Sequence, residues 1–65
     1  MKILVNGAWR ETHSSELAAA LDELGYRGSV VTTAVNGEFI AAALRARTEL
    51  ADGDRVEVLA PMQGG

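Results

Sequence analysis

Two Val-Asn-Gly steps, Val5-Asn6-Gly7 and Val35-Asn36-Gly37, limit most strongly what this chain can become. Asn-Gly is the strongest short-range signal for a two-residue type I′ turn, because both central residues of that turn need positive φ. Each step therefore predicts a hairpin, residues 2–6 returning through 8–12 and residues 30–35 returning through 38–40. In the second strand Trp9 and Glu11 share one face and Arg10 and Thr12 the other, which suits an edge position.

One helical stripe lies between the hairpins. Leu17, Leu21 and Leu24, with Ala18 and Ala20, recur at i, i+4 and i+7, while Asp22 and Glu23 face outward. His13-Ser14-Ser15-Glu16 offers side-chain oxygens to cap its start, and Gly25 stands where a helix of about three turns would end. The leucines must bury against something, and the sheet is the available surface. Residues 41–47 are rich in helix formers but support a turn or two at most. Ala51-Asp52-Gly53-Asp54 reads as a turn, and residues 55–60 as a fifth strand in which Val56, Val58 and Ala60 alternate with Glu57 and Leu59. The order strand-strand-helix-strand-strand-strand makes this an α+β chain.

Sixty-five residues form one domain, and a domain this small buries about 60% of the surface its unfolded chain exposes. A large active-site cavity is therefore not expected. With 48% hydrophobic and 23% charged residues the chain is globular rather than disordered. The net charge of −3, with five arginines and one lysine spread along the sequence, argues against nucleic acid. Absence of cysteine excludes a disulfide scaffold and thiolate ligands. The apolar run after Lys2 is cut short at Asn6-Gly7, so neither a signal peptide nor a membrane span is read, and the cytoplasm is expected.

Inside the domain no constellation carries chemistry. Asp52-Gly53-Asp54 lacks the ligands that a calcium loop continues over about twelve residues, so a turn is expected there. His13 beside Ser14 and Ser15 suggests a hydrolase only by adjacency, and a helix cap accounts for the same residues. One histidine and no cysteine leave no zinc set. Neither Val-Asn-Gly step has the further glycines or lysine of a phosphate loop. Arg45 and Arg47 are expected to be solvated charges rather than partner contacts, and Trp9 and Phe39 to lie in the core or at its edge rather than act as exposed anchors.

The remaining candidate is the tail. Ala60-Pro61-Met62-Gln63-Gly64-Gly65 is uncharged and poor in side chains. Proline ends strand pairing and pushes Ala60 into extended backbone, so the tail, residues 61–65, is expected to leave the 1–60 domain as a flexible exposed segment. Gly64 and Gly65 lack Cβ and fit a channel too narrow for other residues. What such a segment delivers is a terminal carboxylate, which needs activation by a partner that supplies ATP.

Val35-Asn36-Gly37-Glu38, Leu50-Ala51-Asp52-Gly53-Asp54-Arg55-Val56-Glu57-Val58 and the terminal Gln63-Gly64-Gly65 together resemble the ThiS family of thiamine-biosynthesis sulfur carriers, over nearly the whole chain. The resemblance implies a ubiquitin-like β-grasp, a mixed five-strand sheet packed on one amphipathic helix. It implies that a ubiquitin-activating-type adenylyltransferase uses ATP and magnesium to adenylate Gly65. Sulfur, supplied through a donor such as a cysteine desulfurase, then displaces AMP and leaves a thiocarboxylate for a thiazole synthase. The carrier is then a protein cosubstrate, not an enzyme, and binds no cofactor or metal itself. Gly65 would bear the sulfur, Gly64 permit channel entry, and Met62 and Gln63 contact the partner. Two departures from the family's pattern stand out: Ala41-Ala42-Ala43-Leu44 replaces a Pro-Arg-Ser type stretch with a tryptophan, and Ser14 occupies a commonly apolar position. A carrier for molybdopterin, cysteine or a secondary metabolite, a ubiquitin-like modifier, and a non-covalent binding module are the alternatives.

Overall fold

In a computed structural model, which describes residues 1–60, both Asn-Gly steps form the expected hairpins. β1 (Lys2–Val5) pairs antiparallel with β2 (Ala8–Glu11), with Leu4 opposite Trp9. β3 (Thr32–Val35) pairs antiparallel with β4 (Glu38–Ile40), with Ala34 opposite Phe39. Asn6 and Gly7 take φ of 50° and 84°, and Asn36 and Gly37 take 51° and 84°, which is the pair of positive values a type I′ turn needs. β3 begins two residues later than the alternation suggests.

The fifth strand, β5 (Arg55–Leu59), runs up the middle of the sheet. The spatial order is β2-β1-β5-β3-β4, with β5 parallel to β1 and antiparallel to β3. This is the mixed sheet over one helix that the resemblance implies. β2 lies at an edge, as its weakly apolar faces suggest.

Alternation divides the sheet into two faces. Ile3, Val5, Val56 and Val58 point to one side and meet Leu17, Ala20 and Leu21 of the helix α1 (Leu17–Glu23), with Leu50 closing the core. Thr12 and Thr33 are the buried polar residues among those described, and neither hydroxyl is orphaned: Thr12 donates to Glu23 (2.6 Å) and Thr33 to the Ile40 carbonyl (2.9 Å).

The helix differs from expectation at its start and in its length. His13, Ser14 and Ser15 provide no side-chain cap; Glu16 is the cap residue, and the Leu17 N–H donates to the Thr48 carbonyl at 2.9 Å. The Leu50 N–H returns a bond to the Ser15 carbonyl, so a short antiparallel bridge satisfies the helix entry that a side chain was expected to cap. α1 makes two turns rather than three. Its end is a Schellman motif: Gly25, at φ 97°, donates to the Asp22 carbonyl, and Tyr26 donates to that of Leu21. Residues 42–47 form a 3-10 helix, within the turn or two expected.

Candidate functional site

The candidate site is the end of β5, the strand that residues 61–65 follow in sequence. Gly65, Gly64, Gln63 and Met62, together with Pro61, lie outside the described residues; the strand that carries them does not. At Leu59 β5 is flanked by β3, through the Thr32–Leu59 pair. On its other side β1 has already turned away at Asn6. The Asn6 carboxamide fills the gap: its Nδ2 donates to the Val58 carbonyl (2.9 Å) and its Oδ1 accepts from the Val58 N–H (2.8 Å). That is the pattern of a β-ladder, made by a side chain.

At the other end of β5, Asn36 does the matching work. Its N–H donates to the Arg55 carbonyl (2.8 Å) and its Oδ1 accepts from the Arg55 N–H (3.0 Å). Both hairpin asparagines thus serve twice, once as positive-φ turn residues and once as clamps on the central strand. The Asn-Gly steps announce the first role; no sequence signal announces the second.

Beside the strand lies the open face of the sheet. The registers place Trp9, Leu4 and Arg55 in one row across it, Phe39, Ala34 and Glu57 in the next, and Leu59 with Thr32 beyond. Trp9, Phe39 and Leu59 are each more than 60% exposed. The expectation that Trp9 and Phe39 belong to the core or its edge is therefore overturned, and parity is the reason. Ile40 pairs with the buried Thr33 and takes the inward place on β4, leaving Phe39 outward; Trp9 stands opposite Leu4 on the face away from the helix.

The charged candidates are mostly committed to structure. Arg45 donates from Nε to the Thr33 hydroxyl (3.0 Å) and from a terminal nitrogen to the Val31 carbonyl (2.6 Å), so it ties the 3-10 helix to β3, whereas Arg47 is exposed. Asp54 accepts from the Ala51 N–H (2.8 Å) and from Asn36 (3.0 Å), and Asp52 from the Lys2 N–H (2.7 Å). These bonds support the turn rather than a cation loop. Among the described residues no cluster of His, Asp or Glu is arranged to hold a metal ion, and no helix is long and apolar enough to cross a membrane.

His13 is fully exposed, and its Nδ1 lies 3.1 Å from Glu23 Oε2 rather than against a serine hydroxyl. Glu23 does not simply face out. Its carboxylate accepts from the Thr12 hydroxyl and from the N–H groups of His13 and Ser14. The Thr12 bond first, then those of the loop, hold its pKa well below the usual carboxylate range. Glu23 is a clasp between the helix end and the loop after β2, not an acid–base group.

Comparison with curated proteins finds no match. Among solved structures, the chain is similar to a thiamine biosynthesis protein (ThiS) from Geobacter metallireducens, with 30% identity, a TM-score of 0.81 and complete coverage of both chains. The ThiS family model matches residues 3–65, which takes in the β5 end, both asparagine steps and the terminal glycines. On that match, and on a fold that superposes over the full length of the solved relative, the chain belongs to the ThiS family.

Proposed function

We propose that this chain is a cytoplasmic sulfur carrier of thiamine biosynthesis whose working group is the carboxylate of Gly65. The observation that carries the reading is the family match, which continues past the domain into Gln63-Gly64-Gly65. The geometry is consistent with it, since residues 61–65 follow in sequence on β5, the central strand of the sheet.

The chemistry follows from the weakness of a carboxylate as an acyl donor. Attack by the Gly65 carboxylate on the α-phosphorus of ATP, with magnesium held by the activating partner, expels pyrophosphate and gives an acyl adenylate. AMP is then a good leaving group, and a sulfur nucleophile displaces it on the way to a thiocarboxylate. Sulfur is softer and more nucleophilic than the oxygen it replaces, so the loaded end is suited to pass it into a thiazole ring. The sulfur originates from a cysteine desulfurase as a persulfide; its attack on the adenylate expels AMP and gives an acyl disulfide, which a thiol cleaves, forming a disulfide with the donor sulfur and releasing the thiocarboxylate for a thiazole synthase.

Met62 and Gln63 contact the activating partner and Gly64 lets the backbone enter its channel. The exposed apolar side chains of the open face, Phe39 and Leu59 foremost, provide the surface against which such a partner docks while holding the tail.

The test is the intact mass of the chain after incubation with its host's adenylyltransferase, ATP, magnesium and a sulfur donor. A gain equal to one oxygen replaced by sulfur is expected, absent when Gly65 is deleted. No gain, with the enzyme competent on another carrier, overturns the reading. A gain that is then consumed by a molybdopterin or cysteine pathway enzyme rather than a thiazole synthase overturns the assignment to thiamine alone.

A further inference from the structure

β1 and β5 run parallel, and their backbone bonds are Leu4 N–H to the Asp54 carbonyl (2.9 Å) and Asn6 N–H to the Val56 carbonyl (3.0 Å). The next rung would fall at Val58, but β1 has by then entered its turn. Val58 is buried, so its N–H and carbonyl on that side need partners. The Asn6 side chain provides both.

We infer that Asn6 is a positioning residue for the C-terminal segment: its carboxamide stands in for the missing residue of β1, holds Val58, and so fixes the point from which residues 59–65 reach a partner. This rests on the sulfur-carrier reading. From Val58 to Gly65 is seven residues (65 − 58), a reach of at most about 25 Å when extended. Where that reach begins decides how much of the chain a partner must order for itself. With Asn6 in place, the strand end is held from both sides, by β3 at Leu59 and by the carboxamide at Val58. Without it, the last rung toward β1 is at Val56, and the strand end is held from one side.

A second asparagine holds the other end of β5. Asn36 has the same turn geometry, φ 51° against 50°, and its Oδ1 likewise accepts from a backbone N–H of β5, but at Arg55, the end remote from the tail, where the Arg55 carbonyl is met by the Asn36 backbone N–H rather than by its carboxamide. The chain therefore carries its own control. Asn6→Gly and Asn36→Gly both keep a residue that accepts positive φ; the first removes both carboxamide bonds to Val58, the second removes the Oδ1 bond to the Arg55 N–H and leaves the backbone bond to its carbonyl. They are expected to lower stability alike, while differing in what they do to the tail.

The first measurement is amide hydrogen exchange of the full chain, with the Leu4 amide as the reference for global opening. In Asn6→Gly the Val58 amide should exchange about tenfold faster relative to Leu4, with Arg55 unchanged; in Asn36→Gly the pattern should reverse. Equal protection of Val58 in the wild type and Asn6→Gly overturns the inference. The second is thiocarboxylate formation by the activating enzyme, at a temperature where all three chains are folded. Asn6→Gly should raise KM about tenfold, the order expected when one more residue must be ordered on docking, and leave kcat unchanged. Asn36→Gly should match the wild type, and Asn6→Asp, which keeps the acceptor for the Val58 N–H but loses the donor, should fall between. A KM shared by Asn6→Gly and Asn36→Gly means a merely structural role and overturns the inference. A wild-type chain that gains no sulfur overturns the carrier reading and the positioning role with it, and the exchange measurement separates that result from failure of the anchor.

Discussion

The two faces of the sheet are built from the same strands yet answer to different demands. Within β5 alone, Val56 and Val58 are buried under the helix, while Glu57 and Leu59 stand on the open side. Ile3 is wholly buried and its neighbour Leu4 half-buried; Ile40 turns inward and Phe39 outward. Hydrophobic character does not separate the faces, since Trp9, Phe39 and Leu59 are as apolar as anything in the core. Having a helix to pack against does. The inner face is spent on stability, and the open face keeps apolar surface in reserve, which a monomer of this size has no structural reason to display.

The largest effect should come from the inner face. Ile3→Ala removes a side chain buried between sheet and helix, with an expected loss of about 2–5 kcal/mol. At about 4–8 °C per kcal/mol for a domain this small, that is enough to unfold much of the population near physiological temperature. Thermal denaturation checks it. A melting temperature within a few degrees of wild type would mean that the inner face is not the core and would erase the contrast.

On the open face the same kind of truncation should have the opposite profile. Phe39→Ala is expected to change stability by no more than about 0.5 kcal/mol, because the side chain gives up little burial in the free protein. Affinity for the activating partner should fall by about 1–3 kcal/mol, the range of an aromatic anchor at an interface. Paired melting and titration calorimetry on one sample settle it. Loss of stability with unchanged affinity would assign Phe39 to the fold after all.

This contrast marks where the sequence is legible and where it is not. Two-residue turns are local, so Asn6-Gly7 and Asn36-Gly37 announce both hairpins, and the leucine stripe announces the helix. The place of β5 in the middle of the sheet is not local: it depends on a parallel pairing between the first strand and the last, and the resemblance implies only that the sheet is mixed. Parity within β5 could be read, but which parity faces the helix in β2 and β4 follows from register against other strands. Hence residue type alone points Trp9 and Phe39 to the core or its edge, while register exposes them. The helix entry failed for a similar reason, since its partner is the backbone at Thr48, over thirty residues away. For the tail the position is reversed: the sequence names the glycines, and the structure contributes the strand end that carries them.

A smaller effect, with a distinct signature, separates both faces from the polar clasp at the helix end. Glu23 accepts bonds from Thr12, His13 and Ser14, and its pKa is held below the ordinary value of 4.5. A carboxyl whose folded pKa is depressed stabilises the fold above the unfolded value, and that contribution is lost as pH falls through and below it. Glu23→Gln should therefore lower the melting temperature at pH 7 and lose most of that difference on acidification below about pH 4.5, the ordinary value from which folded Glu23 departs. Ile3→Ala should cost about the same at either pH, because methyl groups do not titrate. The exposure of the Glu23 carboxylate limits the size of the effect, so the slope of its pH profile against the flat one of Ile3→Ala, rather than the magnitude, is what the melting series reads. A Glu23→Gln penalty that stays constant down to pH 3 would place the clasp's contribution in shape and packing, and would make it an extension of the inner face rather than a third kind of contact.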